Sequence, residues 1–433
     1  MVRLYSLLWW LALPLALGRL WRRGAQEPGY RQHWNERLGL YRERAANDEP
    51  HTIWVHAVSV GETRASEPLV EALLADYPRS RVLLTHMTPT GRATGKQLFG
   101  KHGARVVQSY LPYDTFSMVR RFIRHFEPRI CILMETEVWP SLIACCNQAH
   151  VPVVLANARL SERSLRKAQR LGGLMRGAAQ GIALVAAQTE ADAGRVRSLG
   201  VANVDVTGSI KFDVQVPPAA LALGAQLRAL VGARPVLLCA STREGEEELI
   251  LDAYRRALQA HALPAGVLLL LVPRHPQRFD SVAQMAAERG FAVQRRSALA
   301  QPGGAVDPGV QVLLGDSMGE MFAYYALCDV AFIGGSLQPL GGQNLIEAAA
   351  LGKPVLIGEH TFNFAQVTDD ALAAGGALRI ASADALMAQA ARLLQDDGER
   401  LAMGGRARDF AGQHKGATQR TLALLPALMQ AAA

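Results

Sequence analysis

Ile53-Trp54-Val55-His56-Ala57-Val58, running into Ser59-Val60-Gly61-Glu62-Thr63, sets the pattern repeated along the chain. Ile53–Val58 is an apolar run of strand length, bounded by a serine and a glycine. A helical pattern follows at once, with Ala65, Leu69, Leu73 and Leu74 on one face. Near-continuous apolar strands suit a parallel sheet whose two faces are both covered by helices. The run recurs at Val82–Thr85, Ile130–Met134, Val153–Ala156 and Ile182–Ala187. It recurs again at Val236–Ala240, Val267–Val272, Val310–Leu314, Val330–Ile333 and Pro354–Ile357. Strand and helix alternating this often predict an α/β fold with one parallel sheet in each half.

The chain divides most naturally at Val214–Pro218, where Pro217 and Pro218 interrupt the pattern. A length of 433 residues suits two domains of roughly 200 residues each. The expected organisation is an N-terminal segment 1–24, a domain 25–216 and a domain 217–433. Terminal helices are predicted at 397–413 and 417–430, the last packing back on the first domain. Two such domains face a central cleft, and ligands collect at the carboxyl ends of the strands lining it. Half the residues are hydrophobic but only 6% are aromatic, so the core is aliphatic. Cys131, Cys145, Cys146, Cys239 and Cys328 include no C-x-x-C pair, which points to buried reduced thiols in a cytosolic compartment.

The formal net charge of +8 is unevenly spread. Arg19, Arg22, Arg23, Arg31, Arg37, Arg42 and Arg44 face only Glu27, Glu36 and Glu43, and a second basic group runs from Arg159 to Arg176. Such patches attract phosphates of lipids or substrates. The second patch fits a solvated helix face equally well. Nucleic acid is disfavoured, because no stacking aromatics are interleaved with the charges. Leu4–Leu20 carries no charge before Arg19; its 17 residues would span about 26 Å as a helix, just short of a bilayer core. A spanning helix, an in-plane helix and a cleaved signal peptide all fit this segment. Membrane association with the following chain in the cytoplasm is the expectation, since arginines trail the apolar stretch.

Candidate chemistry sits where strands end. Glu62 lies in the first turn after Ile53–Val58, where a carboxylate either complements the helix dipole or, kept ionised by it, accepts a proton. Glu135 and Glu137 follow Ile130–Met134; in an extended chain only one of them lines a given surface. Arg274 follows a strongly apolar strand. Leu314–Met321 and the glycine-rich Phe332–Ala348 each follow an apolar run and offer backbone N–H groups to a phosphate, with Glu347 placed for ribose hydroxyls. No G-x-G-x-x-G, G-x-x-x-x-G-K-[ST], Asp-x-Asp or nucleophile elbow occurs at the matching places. A dehydrogenase, a P-loop enzyme and a Ser-His-Asp hydrolase are thereby disfavoured, and the expectation is of no metal and no cofactor. A transferase using a UDP-sugar and a non-catalytic nucleotide-binding scaffold both stay open on these residues.

HAVSVGE (56–62), THMTPTG (85–91), METEVWP (134–140), NARLSERS (157–164), GSIKFD (208–213), VPRHPQRF (272–279), GDSMGEM (315–321) and GGSLQPLGGQNLIEAAALGKPV (334–355) occur in this order nearly end to end. Together they resemble the 3-deoxy-D-manno-octulosonic acid (Kdo) transferase family. The resemblance implies a GT-B fold with two Rossmann-like domains and an N-terminal membrane-anchoring helix at the cytoplasmic side of the inner membrane. It implies an inverting, metal-independent transferase moving Kdo from CMP-Kdo to a tetra-acylated lipid A precursor. It further implies Glu62 as catalytic base and Glu137 as an active-site residue. CMP contacts are implied at Pro273, Arg274, Met318, Gly319, Glu320, Asn344, Leu345, Ile346 and Glu347. Arg159, Arg163 and Lys211 are the candidates for acceptor phosphates. Arg243 stands where that family commonly has histidine and keeps a positive donor there.

Overall fold

The computed structural model describes residues 1–41, 51–300 and 305–431, so Arg42, Glu43 and Arg44 of the first basic cluster lie outside the described residues. The chain forms two compact units, one of Met1–Asp213 with the segment from His414 on, the other of Val214–Gln413. In the first unit the strands are β1 (His51–His56), β2 (Ser80–His86), β3 (Val106–Tyr110), β4 (Pro128–Met134), β5 (Val153–Ala158), β6 (Leu184–Ala187) and β7 (Val204–Val206). They pair in parallel in the order β3-β2-β1-β4-β5-β6-β7. The second unit contains β8 (Val236–Thr242), β9 (Leu268–Pro273), β10 (Val293–Arg295), β11 (Val312–Leu314), β12 (Val330–Ile333), β13 (Val355–Ile357) and β14 (Ala377–Arg379). Its parallel order is β10-β11-β9-β8-β12-β13-β14.

Alternation along β1 shows how the first sheet is held. Trp54 packs with Leu83, Phe122, Cys131 and Leu142 on one side, while Ile53 and Val55 join Leu69, Leu73, Ile132 and Leu425 on the other. Both faces are therefore dry, as the unbroken apolar runs require. The indole N–H of Trp54 still needs a partner in that core and donates to Thr85 Oγ1 at 2.8 Å. All five cysteines are buried and free. The helical pattern after β1 is two helices, Val60–Ala65 and Glu67–Asp76, because Pro68 restarts the helix after Ser66.

The second unit ends at Gln413 and not at the C-terminus. The Asp213 carboxylate accepts backbone N–H bonds from Gly416 at 2.6 Å and Thr418 at 2.5 Å, tying the last segment to the first unit. Leu422 and Leu425 complete the burial against Ile53 and Leu69. That segment is two helices, Ala417–Ala423 and Pro426–Ala431, restarted at Pro426 and not continuous over 417–430.

The N-terminal helix runs from Val2 to Arg23 and is long and apolar enough to cross a membrane. One face docks on the first unit: Leu13 is buried with Tyr113 and Met118, beside Trp9, Leu17 and Leu20. Ser6 Oγ accepts the Phe116 N–H at 3.0 Å. Leu4, Leu7, Leu8, Leu11 and Leu15, spaced as one helical stripe, are exposed on the other face with Trp10.

In each sheet the chain begins centrally and reverses direction of growth, between β1 and β4 in the first and between β8 and β12 in the second. The loops at the carboxyl ends of those four strands are where an open parallel sheet takes ligands.

Candidate functional site

At the reversal point of the first unit, the loop after β1 carries Glu62 and the loop after β4 carries Glu135 and Glu137. Ser59 opens the helix Val60–Ala65, and Glu62, in its first turn, folds back so that Oε2 accepts the Val58 N–H at 2.6 Å. No described residue hydrogen-bonds Oε1. The loop after β2 props this turn: His86 Nδ1 lies 3.1 Å from Ala57 O, and Thr88 Oγ1 donates to Val58 O at 3.3 Å. A Cβ on Gly91 would fall 3.3 Å from the backbone of Val58 and Ser59, so glycine lets the two loops touch. The THMTPTG stretch thus acts as a buttress for the glutamate.

Burial pushes the Glu62 carboxyl up to about 7; the Val58 N–H and Lys211 oppose this, while Glu137 and Glu135 add to it. The expectation of a carboxylate kept ionised by a helix dipole is corrected here. The helix has only six residues, and desolvation plus two neighbouring acids outweigh it. Nor is the METE segment extended. Glu135 adopts a left-handed backbone with φ of 56°, which breaks the alternation and lets both acids act on Glu62. Glu135 is buried and ion-paired with Lys211 at 2.7 Å. Glu137 Oε2 accepts the Trp139 indole N–H at 2.8 Å, and burial raises its carboxyl above the usual range. Lys211 reaches this place because Asn157 Oδ1 holds the Ile210 N–H at 3.1 Å. Arg159 is exposed, and its backbone N–H donates to Glu135 O at 3.3 Å, whereas Arg163 is exposed on the helix Glu162–Arg170.

In the second unit, Pro273 ends β9 buried, and the Arg274 N–H donates to Thr242 O at 2.9 Å, so the ends of β8 and β9 stay together. Met318 is exposed and Gly319 has φ of 83°, a turn that glycine allows. Glu320 is engaged internally: it pairs with Arg296 at 3.1 Å and accepts the Ser317 hydroxyl at 2.6 Å. Asn344 donates to Glu347 Oε1 at 3.1 Å and accepts the Ile346 N–H at 3.0 Å. Leu345 and Ile346 are fully buried, so only their backbones can face a ligand.

The phosphate seat is expected at Gly341–Gly342, the pair before the helix; there the Gly342 N–H donates to Gly335 O at 2.7 Å, and the preceding pair Gly334–Gly335 is taken as well. The N–H groups of Gly335, Ser336 and Leu337 all donate to the buried carboxylate of Glu246, which leaves no phosphate seat there. Sequence reading passed over Glu246 because Glu246-Glu247-Glu248 looks like an ordinary acidic first turn. Glu247 is equally buried and binds Arg278 at 2.8 Å.

Comparison with known proteins bears on this geometry. Residues 32–214 match the family model of "3-Deoxy-D-manno-octulosonic-acid transferase (kdotransferase)". The chain is 47% identical over 419 residues to a 3-deoxy-D-manno-octulosonic acid transferase of Bordetella pertussis, covering 94% of this chain and 95% of that one. It is 38% identical to that of Haemophilus influenzae, with 97% of each chain covered. Among solved structures, the UDP-GlcNAc 2-epimerase of Neisseria meningitidis aligns with a TM-score of 0.57 over 86% of this chain and 99% of its own, at 14% identity, a likeness of fold alone.

Proposed function

The chain belongs to the Kdo transferase family of glycosyltransferases in lipopolysaccharide biosynthesis, and from that premise we propose that it is a GT-B enzyme moving Kdo from CMP-Kdo to a tetra-acylated lipid A precursor, with inversion. The observation that carries this is Glu62, a half-buried carboxyl brought to about 7 at the reversal point of the first sheet, with one oxygen unclaimed by any described residue. A base with that acidity is divided between its two forms near neutral pH, where proton transfer is most efficient.

In this mechanism the unclaimed oxygen of Glu62 takes the proton from an acceptor hydroxyl as that hydroxyl's oxygen attacks the anomeric carbon. The bond to the CMP phosphate breaks on the opposite side, so one displacement inverts the centre. Glu137, anchored by Trp139, and the Glu135–Lys211 pair set the field in which the proton moves. CMP is held by the segments at Pro273–Arg274, Met318–Glu320 and Asn344–Glu347, with Arg274 countering the leaving phosphate's charge without a metal. Within the CMP-binding set, Glu320 acts through the turn it ties together, since its carboxylate is engaged. Arg159 and Arg163 meet acceptor phosphates, while Lys211, committed to Glu135, acts more on the proton transfer than on the acceptor.

The helix Val2–Arg23 attaches the protein to the cytoplasmic side of the inner membrane. Its docked face favours a helix lying in the membrane plane with Leu4, Leu7, Leu8, Leu11 and Leu15 in the lipid. The test of function is direct: purified protein, CMP-Kdo and the lipid precursor are incubated and the lipid product is weighed by mass spectrometry. A mass gain of one or more Kdo residues is expected; no gain refutes the assignment.

A further inference from the structure

Glu246 is fully buried, yet its carboxylate is saturated by backbone alone. Oε2 accepts the N–H groups of Gly335 at 2.6 Å and Arg243 at 2.9 Å; Oε1 accepts those of Ser336 and Leu337, each at 2.9 Å. Three successive N–H groups converging on one anion form the nest that elsewhere receives a phosphate. Here the anion is part of the chain. It ties the loop after β12 to the loop after β8, across the reversal point of the second sheet.

The clasp also fixes Arg243. Its backbone is held by Glu246, and its stem crosses Gly335, with Cγ 3.6 Å from where a Cβ would stand. Its half-buried guanidinium has no hydrogen bond or ion pair to any described residue. Arg278, close by, is already neutralised by buried Glu247. Arg274 lies beside Arg243, since the Arg274 N–H donates to Thr242 O at 2.9 Å; burial, then Arg243, Arg274 and Arg278, hold the neighbouring His275 ring below the usual range.

We infer that Glu246 is a positioning residue that fills the nest from within and holds Arg243, so that the donor's phosphate is met by the Arg243 guanidinium and not by the glycine turn. This rests on the CMP-donor assignment above and adds which groups read the phosphate. A nucleotide phosphate bound by an arginine gains a charge-assisted bond that the bare nucleoside cannot make.

Calorimetric titration of the full chain with CMP and with cytidine separates the phosphate from the base and ribose. Arg243→Ala is expected to lower the preference for CMP over cytidine by roughly 10- to 100-fold, with cytidine affinity within about twofold of wild type. Arg243→Lys should recover part of that preference. Glu246→Gln, which replaces one acceptor oxygen by an amide donor facing N–H groups, should lower the same ratio. An unchanged ratio in Arg243→Ala overturns the inference, and that variant keeps every backbone N–H bonded to Glu246, so it decides even where the glutamine chain is unstable. Tighter CMP binding by Glu246→Gln, or equal loss of CMP and cytidine, also overturns it. A wild-type chain that binds UMP but not CMP would instead sink the donor assignment, and this inference with it.

Discussion

Replacing Glu62 by glutamine should remove turnover while making the protein more stable at neutral pH. The folded chain raises this carboxyl from 4.5 to about 7, chiefly by desolvation. A carboxyl whose pKa is higher folded than unfolded adds stability that is complete below the unfolded value and lost as pH climbs through the folded one. Glutamine keeps the shape and never ionises. The variant's advantage should therefore be absent below pH 4.5, grow between 4.5 and 7, and level off above 7. At 1.36 kcal/mol per pH unit it reaches about 3 kcal/mol, or roughly 6–12 °C in Tm for a unit of this size. Thermal melts of both proteins at pH 4, 6 and 8 would show it, and the buried histidines cancel because both chains carry them. Kdo transfer by the variant should fall by about 100- to 10,000-fold, with CMP affinity retained. Melting points that run parallel at all three pH values would refute the desolvated-carboxyl argument. More than a tenth of wild-type turnover would refute the role as base.

Lys211→Met removes a cation that lowers the Glu62 pKa, so the acid limb of the pH–rate profile should move to higher pH; an unmoved limb would mean the pair with Glu135 does not reach Glu62. Glu347→Ala should raise KM for CMP-Kdo about tenfold with less effect on kcat, as expected for lost ribose hydrogen bonds, and steady-state kinetics would separate the two. Leu7→Asp with Leu11→Asp places two charges on the exposed stripe of the N-terminal helix. Flotation with anionic vesicles should show release of the variant from lipid at unchanged Tm, since neither side chain is packed in the fold. Asp213→Ala should loosen the last segment, measured as faster proteolysis after His414, because two backbone N–H groups lose their acceptor.

The ten strands legible from apolar runs are the interior strands of both sheets. The four that escaped, β3, β7, β10 and β14, are the edges. An interior strand buries both faces and must be apolar throughout, whereas β7 and β10 contain no buried residue and carry Asp205 and Arg295. Edge strands are short and half-wet, so their composition does not set them apart from loops.

The same division holds for the site. Loops at the carboxyl ends of apolar strands, with glycine and acid in place, were readable because they are local patterns of residue type. Sequence therefore determined two parallel α/β units, the position of Glu62 at a strand end, and the family resemblance of the motifs around it. Only tertiary structure decided the acidity of Glu62, which depends on burial and on Glu135, Glu137 and Lys211 from distant segments. It also decided that Glu246 occupies the glycine nest some ninety residues away in the chain, and that the Asp213 carboxylate is what ties the segment after Gln413 to the first unit. Desolvation and hydrogen bonds between remote segments have no local signature, because they arise from which loops the parallel strand order brings side by side.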